Sequence, residues 1–211
     1  MKQLLLLLFV FCVGACNSPK IPVEEPANGA LFDGKSFGPW KSVAFGGEAT
    51  PYVDSGYMVL PMATAGSLTG VRYEGPDTLP QTDYELCFEA KRIDGHDFFA
   101  GATFPVEGSH LTLIMGGWGG VVCGLSNIDD LDAARNETRF TFPFANQVWY
   151  SIRVRVGGQK VQVWFDEKQV VDFVTTDRKL NLRQEVVLTA PWGFCTFLTT
   201  GAIRNISLQP L

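Results

Sequence analysis

The chain has 211 residues with a formal net charge of −5, and 46% of them are hydrophobic. That is enough apolar material for one large core, and an all-β domain often uses roughly 200 residues. The chain is acidic overall and has no cluster of Lys and Arg of the kind that binds nucleic acid, so nucleic acid is excluded as a partner. The 22 Gly, 12 Pro and 16 Phe favour strands and turns over helices.

The N-terminus has the pattern of an exported protein. Met1-Lys2 precedes a short apolar run over residues 4–11, about half as long as a membrane span. The run ends in Val13-Gly14-Ala15-Cys16, which resembles the bacterial lipoprotein box. In that class a diacylglycerol is attached to the Cys, which becomes the first residue after cleavage. The alternative is an ordinary signal that is cut after Ala15.

We therefore predict three segments. Residues 1–16 form a lipoprotein signal peptide with lipidation at Cys16, residues 17–29 form a flexible spacer, and residues 30–211 form one domain. The membrane is then a partner through the lipid anchor. The predicted location is the bacterial cell envelope, facing the periplasm or the exterior.

Three cysteines remain beyond the lipobox, Cys87, Cys123 and Cys195. They can form at most one disulfide, and the sequence does not select a pair. No C-x-x-C or Cys/His zinc spacing occurs, so neither a metal nor a cofactor is predicted. The three are interpreted as small buried hydrophobes.

Short alternating runs separated by Gly, Pro, Asp and Asn dominate the chain after the spacer. Apolar and polar residues alternate in Tyr84–Lys91 and in Trp149–Val156, which is typical of half-buried strands. Gly157-Gly158 predicts a hairpin into a strand over Lys160–Asp166. Such segments recur about every 8–12 residues, which predicts one two-sheet sandwich or barrel, and Asp130–Asn136 is the one weak helical pattern. Further strands are predicted at Tyr57–Pro61, Phe98–Phe104, Leu111–Met115, Val121–Leu125, Arg139–Phe142, Gln169–Val174, Glu185–Thr189, Cys195–Thr199 and Ala202–Leu208.

Three segments resemble the bacterial 3-keto-disaccharide hydrolase domain family. Residues 31–40, Leu-Phe-Asp-Gly-Lys-Ser-Phe followed by Trp40, are similar to the opening sequence of the family. Residues 146–170, which include Trp-Tyr-Ser-Ile and Val-Trp-Phe-Asp, are similar to its hairpin. Residues 203–211, Ile-Arg-Asn-Ile-Ser-Leu-Gln-Pro-Leu, are similar to its closing sequence. In order and spacing the three span nearly the whole mature chain.

The resemblance implies a concanavalin A-like jelly-roll sandwich of two antiparallel sheets, closed by the first and last strands. It also implies cleavage of glycosides oxidised at C3 of the sugar, where the ketone acidifies the C2 proton and a base expels the aglycone by elimination. Residues 109–138 depart from the family, because a Gly-rich segment replaces its "G-x-E-x-Q-I" region. In the family this segment faces the concave sheet, where ligands generally bind.

Two short motifs supply candidate catalytic residues. Glu85 and Glu89 share one face of a strand, similar to the "E-x-D-x-E" strand of glycoside hydrolase family 16, with Cys87 at the central position. Four residues along a strand separate Cα atoms by about 13 Å, so the alternative is a polar outer face. His96-Asp97 offers an imidazole that can act as a general base beside a carboxylate. The alternative there is a loop that satisfies its own hydrogen bonds.

Two further segments supply candidate binding residues. Gly116-Gly117-Trp118-Gly119-Gly120 places an indole among four glycines. An exposed Trp can stack on a sugar ring, whereas the alternative is a Trp buried under a Gly-rich turn. The acidic segment that follows contains Arg135, Asn136 and Glu137, which could border the concave face, hold calcium or only be solvated.

These observations predict a carbohydrate-active domain that cleaves 3-keto glycosides or related modified glycans. In the predicted site His96 or Glu89 is the base, and Trp118, Asp97, Arg135, Asn136 and Glu137 bind the sugar. The alternative is a non-catalytic glycan-binding or cell-surface module that uses the same concave face, and whether the domain is an enzyme stays open. A second candidate sugar platform is Trp164, flanked by Arg153 and Arg155 on the outer face of the hairpin.

Overall fold

The computed structural model describes residues 29–211, so the predicted signal peptide, Cys16 and most of the spacer lie outside the described residues. Two antiparallel sheets of seven strands pack face to face. Sheet I has the order β1-β4-β13-β6-β7-β8-β9, and sheet II has the order β12-β11-β10-β5-β14-β3-β2. The strands are β1 Trp40–Ser42, β2 Tyr52–Asp54, β3 Tyr57–Leu60, β4 Leu68–Tyr73, β5 Tyr84–Gly95, β6 Gly101–Val106, β7 Ser109–Gly116, β8 Val122–Ser126, β9 Phe140–Thr141, β10 Trp149–Gly157, β11 Lys160–Phe165, β12 Lys168–Val174, β13 Gly193–Phe197 and β14 Thr199–Pro210.

The core lies between the sheets and follows the predicted alternation. In β5 every second residue from Tyr84 to Ala90 is buried, while the residues between them face outwards. Phe88 of sheet II meets Phe194 of sheet I edge to face, with ring centroids 5.0 Å apart. The buried Tyr84 hydroxyl donates to the Pro105 carbonyl oxygen at 2.6 Å, which links the two sheets. The prediction of an all-β sandwich of two antiparallel sheets is confirmed.

The two ends of the described chain meet in sheet II. The Leu31 amide donates to the Ile206 carbonyl, and the Leu208 amide donates to the Gly29 carbonyl, both at 2.8 Å. In the same sheet β14 pairs with β5 on one edge and with β3 on the other. The family resemblance implies closure by the first and last strands; here residues 29–31, which precede β1, meet β14, whereas β1 itself pairs with β4 in sheet I.

One predicted strand was wrong, and three observed strands were not predicted. Residues 185–189, predicted as a strand, belong to a 3₁₀ helix over Gln184–Thr189. Val186 and Thr189 are buried while Val187 and Leu188 are exposed, and this spacing of three suits a 3₁₀ helix, in which residues i and i+3 lie on one side. The sequence analysis also did not predict β1, β2 and β4, which are short or, in β4, buried on both faces.

The weak helical pattern at Asp130–Asn136 forms turns. The buried Asn136 side chain donates to the carbonyl oxygens of Leu125, Leu131 and Asp132. An amide that bonds backbone groups in this way competes with helical hydrogen bonding. Elsewhere, helical turns occur at Thr64–Gly66 and Gly117–Gly120.

The three cysteines are free thiols in the described chain. Cys123 and Cys195 are buried, and burial raises the pKa of each thiol to about 12. The interpretation as small core residues holds for these two and is wrong for Cys87, which is half-buried on the outer face of sheet II. Within residues 29–211, no helix has the length and apolar character needed to cross a membrane.

Candidate functional site

A cleft of about 570 Å³ lies on the outer face of sheet I. Leu111 and Leu113 of β7 point into the core, so the alternate residues Thr112 and Ile114 point outwards and form part of the cleft floor. The 3₁₀ helix over Gln184–Thr189 covers one side of this face. The remaining lining residues are Phe45, Gly66, Ser67, Leu68, Asp97, Phe98, Trp118, Ser126, Arg183, Glu185, Val186 and Phe197.

One half of the cleft is apolar. Leu68, Val186 and Cys195 form a small buried cluster that is separate from the main core. Phe98 and Phe197 pack against it and stack on each other with centroids 5.9 Å apart. The cluster packs the 3₁₀ helix against sheet I and so joins one wall of the cleft to its floor.

Trp118 stands at the cleft with its indole 45% exposed. Its backbone adopts φ 50° and ψ 54°, between Gly116 at φ 79° and Gly119 at φ 89°. A left-handed conformation costs a non-glycine residue about 1–2 kcal/mol, and Trp118 shares it with eleven other non-glycine residues of the described chain. Within residues 29–211, no aromatic ring or cation stacks on this indole. Of the two interpretations from the sequence, the structure has the exposed platform.

Asp97 ties the glycine-rich turn to the cleft. Its Oδ2 accepts a hydrogen bond from the Gly119 amide at 3.2 Å, and its Oδ1 accepts one from the Phe98 amide at 2.8 Å. Its own amide donates to Thr199 Oγ1 at 2.9 Å. The carboxylate therefore lies in the cleft beside Trp118 and holds the turn that presents the indole.

Arg92 supports the same turn from the opposite sheet. It lies on β5 with 8% exposure and extends through the sandwich. Nη1 donates to the Gly120 carbonyl at 3.2 Å, Nη2 to the Phe144 carbonyl at 2.5 Å and Nε to Asn146 Oδ1 at 2.7 Å. All three acceptors are neutral oxygens, so this buried cation is held by dipoles that its removal would leave unsatisfied.

A charged rim borders the polar half of the cleft. Arg183 contacts both carboxylate oxygens of Glu185, at 2.6 and 3.3 Å, and this contact lowers the pKa of the Glu185 carboxyl. Arg183 also reaches Asp132 Oδ2 at 3.3 Å, and Arg135 reaches the same oxygen at 2.8 Å. The predicted binding residue Arg135 therefore lies beside the cleft but does not line it. It lines a neighbouring pocket, where it pairs with the buried Asp132 carboxylate.

The rest of the acidic segment is tied to residues 178–181 by ion pairs. Arg178 contacts Asp129 at 2.7 Å and also pairs with Glu137, and Lys179 contacts Asp130 at 2.7 Å. The hydrogen bonds from Arg178 and Lys179 lower the pKa of all three carboxyls. These side chains act as a clasp between two loops.

We expect the ion pairs of the clasp to stabilise the folded domain less in acid than at neutral pH. Carboxyls whose pKa is lower in the folded state stabilise it above their ordinary values of 3.8 and 4.5, and the contribution disappears as pH falls through the folded pKa values. We expect the urea unfolding free energy to fall between about pH 5 and pH 2, and less steeply in Arg178→Met. Equal slopes in the two proteins would contradict this role of the clasp.

The structure separates the sequence-predicted site residues into two groups. Asp97 and Trp118 meet in the cleft, and Arg135 lies beside it. Glu89 lies on the outer face of sheet II, where it contacts Arg204 Nε at 2.7 Å and Asn205 Nδ2 at 3.0 Å. The predicted grouping of Glu89 with Trp118 was therefore wrong, because β5 belongs to the other sheet.

The other predicted residues do not line the cleft. His96 is exposed, and among residues 29–211 the cleft lining includes neither His96 nor His110. Asn136 is buried, and its side-chain oxygen also accepts bonds from the Thr138 amide and hydroxyl, so its role is structural. Glu137 belongs to the clasp. In the described part of the chain no three His, Cys, Asp or Glu side chains converge as a metal site would need.

The second candidate platform differs from the first. The Arg153 guanidinium lies 3.9 Å from the Trp164 ring centroid, so a cation already covers one face of that indole. Trp118 has no such partner in the described structure, so its indole is the less covered of the two. Sequence reasoning missed Phe45, Phe98, Phe197, Arg183 and Glu185, because no local pattern shows that sheet topology assembles them around Trp118.

The sequence profile of the 3-keto-alpha-glucoside-1,2-lyase-like domain matches residues 28–209. The chain belongs to this family. The resemblance found in the three sequence segments is thereby confirmed, and the match covers nearly all of the described residues. No curated protein sequence matches the chain significantly.

Solved structures show the same fold as this lyase-like domain. A protein from Parabacteroides distasonis described as a candidate glycosyl hydrolase is 14% identical, with a TM-score of 0.53 over 86% of this chain and 92% of that chain. Domain 4 of the arabinanase AbnA from Geobacillus stearothermophilus, in complex with arabinotriose, has 12% identity and a TM-score of 0.51 over 82% of each chain. The alginate lyase AlgAT5 has 9% identity and a TM-score of 0.51 over 82% of this chain and 94% of that chain. The jelly-roll fold and a carbohydrate-active family are therefore established for the domain.

Proposed function

We propose that the cleft on sheet I binds a carbohydrate and that the domain cleaves 3-keto glycosides there. The observation that carries the proposal is the exposed Trp118 indole, held beside the Asp97 carboxylate in one cleft. An open indole offers a broad apolar surface to a sugar ring. The polar lining beside it offers acceptors and donors for hydroxyl groups.

The chemistry that this cleft supports is elimination. A base removes the C2 proton of a sugar with a ketone at C3, a double bond forms between C1 and C2, and the C1–O bond breaks to release the aglycone, which takes up a proton. We assign the base to Asp97, because its carboxylate adjoins the platform. Arg183 lines the same cleft and offers positive charge to the enolate oxygen that forms at C3. Family membership supports this reaction class.

A second candidate is binding without cleavage. Both oxygens of Asp97 accept amide hydrogen bonds. The hydrogen bonds from Arg183 lower the pKa of the Glu185 carboxyl. The two amide donors occupy both Asp97 oxygens, and the lowered pKa makes Glu185 a weaker base. The same cleft would then serve as a glycan-binding module with Trp118 as its main contact.

The test is to incubate the protein with 3-keto disaccharides and with their unoxidised parents. We expect release of sugar from the keto compounds alone, and Asp97→Asn should abolish it while glycan binding survives. Trp118→Ala should weaken binding about tenfold or more. Binding that is lost in Trp118→Ala, with no release by the parent protein, would support the binding module.

Matched controls come from the outer face of sheet II and from the exposed loop residue next to Asp97. Trp164→Ala removes an indole that a guanidinium already covers, and Glu89→Gln and His96→Ala remove the two bases predicted from the sequence. All three should leave binding and release unchanged. An equal loss in Trp164→Ala would show that sheet I does not hold the site.

We also propose that the mature chain is a lipid-anchored protein of the bacterial cell envelope. The support is the Val13-Gly14-Ala15-Cys16 sequence after a short apolar run. Flotation with vesicles tests the anchor, because Cys16→Ser removes the thiol that would carry the lipid.

A further inference from the structure

The outer face of sheet II carries cations stacked on aromatic rings. Lys91 Nζ lies 4.9 Å from the Tyr57 ring centroid and 4.7 Å from that of Trp149. The Arg204 guanidinium lies 4.1 Å from Trp149. With Arg153 on Trp164, these residues form a half-exposed surface that we term the cation–aromatic face.

The charge of this face differs in sign from that of the whole chain. At its centre Lys91, Arg153, Arg155 and Arg204 lie beside two carboxylates: Glu85, which pairs with Arg153 and Arg155, and Glu89, which pairs with Arg204. The exposed Asp166 carboxylate also borders this centre, because it accepts a hydrogen bond from the Ser151 amide at 3.0 Å. Four cations and three anions leave an excess of one positive charge, whereas the chain has a net charge of −5. At the margins Lys160 is paired with Asp172, and Asp54 lies opposite Tyr57.

The path of the chain places the predicted anchor next to this face. Ala30 pairs with Ser207 of β14, three residues beyond Arg204 and so about 10 Å from it along the strand. The 12 residues from Asn17 to Asn28 can span at most about 43 Å when fully extended and about 20 Å as a flexible coil. A lipid on Cys16 would therefore hold sheet II close to the bilayer, while the cleft lies on the other sheet.

We infer that the cation–aromatic face lies against an anionic lipid surface, which directs the cleft away from the membrane. The inference rests on the proposed anchor. Trp and Tyr rings are favoured at the level of lipid headgroups, and Lys and Arg are attracted to anionic lipids. Because guanidinium groups already cover its indoles, this face suits headgroups better than stacked sugar rings.

Quenching of tryptophan fluorescence by brominated lipids tests the inference. The full lipid-modified chain is reconstituted in vesicles of phosphatidylglycerol and phosphatidylcholine that contain brominated acyl chains. We expect quenching that falls by about half or more in the Trp149→Phe/Trp164→Phe double variant and is unchanged in Trp118→Phe. Quenching should be weaker in pure phosphatidylcholine vesicles.

A pair of charge reversals supplies the control. Lys91→Glu/Arg204→Glu changes the cation–aromatic face, and Lys41→Glu/Arg139→Glu makes the same change in net charge at exposed residues of sheet I. Only the first should reduce quenching, with the folding of every variant checked by its urea midpoint. Equal reductions would overturn the inference, and so would an unquenched parent that floats with the vesicles.

Flotation separates this inference from the anchor beneath it. Loss of flotation in Cys16→Ser supports the anchor whatever the quenching shows. A parent chain that does not float overturns both the anchor and the orientation.

Discussion

Gly201→Ala is expected to destabilise the domain by about 3 kcal/mol, at the upper end of the cost of overpacking. Gly201 lies in β14 where the chain segment that leaves β5 crosses above it. A Cβ atom added at this position would lie 2.0 Å from the Phe99 carbonyl oxygen. Backbone atoms cannot move aside as the end of a side chain can, so either the strand or the segment must shift. The urea unfolding free energy measures the loss.

The matched control is Gly108→Ala in the turn between β6 and β7. No atom lies within 4 Å of a Cβ added there, and φ is +83°, so the expected loss is only about 1 kcal/mol from the left-handed conformation. If Gly201→Ala were no more destabilising than this control, the contact with Phe99 would not restrict the fold. Because Phe99 follows Asp97 and Phe98, we also expect weaker glycan binding in Gly201→Ala.

Arg92→Met is expected to remove both stability and binding. The buried guanidinium donates to three oxygens, and Met keeps the bulk of the side chain without a donor. A buried acceptor left unsatisfied costs about 1–3 kcal/mol, so the total loss should be on the order of 3 kcal/mol. The Gly120 carbonyl is one of the three, so the Trp118 turn should loosen and glycan affinity should fall about tenfold.

Arg155→Met is the control for this variant. Arg155 is 43% exposed and pairs with Glu85 on the outer face of sheet II, so its loss should cost less than about 1 kcal/mol. Glycan titration and urea unfolding measure the two effects separately. An Arg92→Met protein that unfolds earlier but binds glycan normally would show that Arg92 supports the core without positioning Trp118.

Much of the sandwich could be predicted from the sequence where one face of a strand is buried and the other is not. In β5 and β10 the alternation is complete, because their outer faces carry charged residues. The pattern fails in β4, because the small cluster of Leu68, Val186 and Cys195 covers the second face of this strand. It also fails at Gln184–Thr189, where β-branched residues pack with a period of three.

The site could be predicted only in part. Trp118 was found because four glycines mark an unusual backbone, and Asp97 was found because of its neighbour His96. The sequence offered Glu89 as a candidate base on the same footing as His96, yet the strand order places Glu89 on the outer face of the other sheet. Phe45 and Arg183 are brought to the cleft by long-range packing, which leaves no local trace in the sequence.

The position of β14 also determines when the domain can form. This strand is synthesised after every other strand of the sandwich, yet β5 and β3 both pair with it. β5 ends at Gly95 and β14 begins at Thr199, so at about 5–20 residues per second roughly 5–20 s pass between them on the ribosome. Long-range pairing of this kind is slow, and during that interval β5 and β3 each lack one neighbour, although β10 and β2 are made before β14 and can pair with them. A nascent chain whose second sheet cannot close until β14 has emerged therefore exposes an unpaired edge of β5 and of β3 until then.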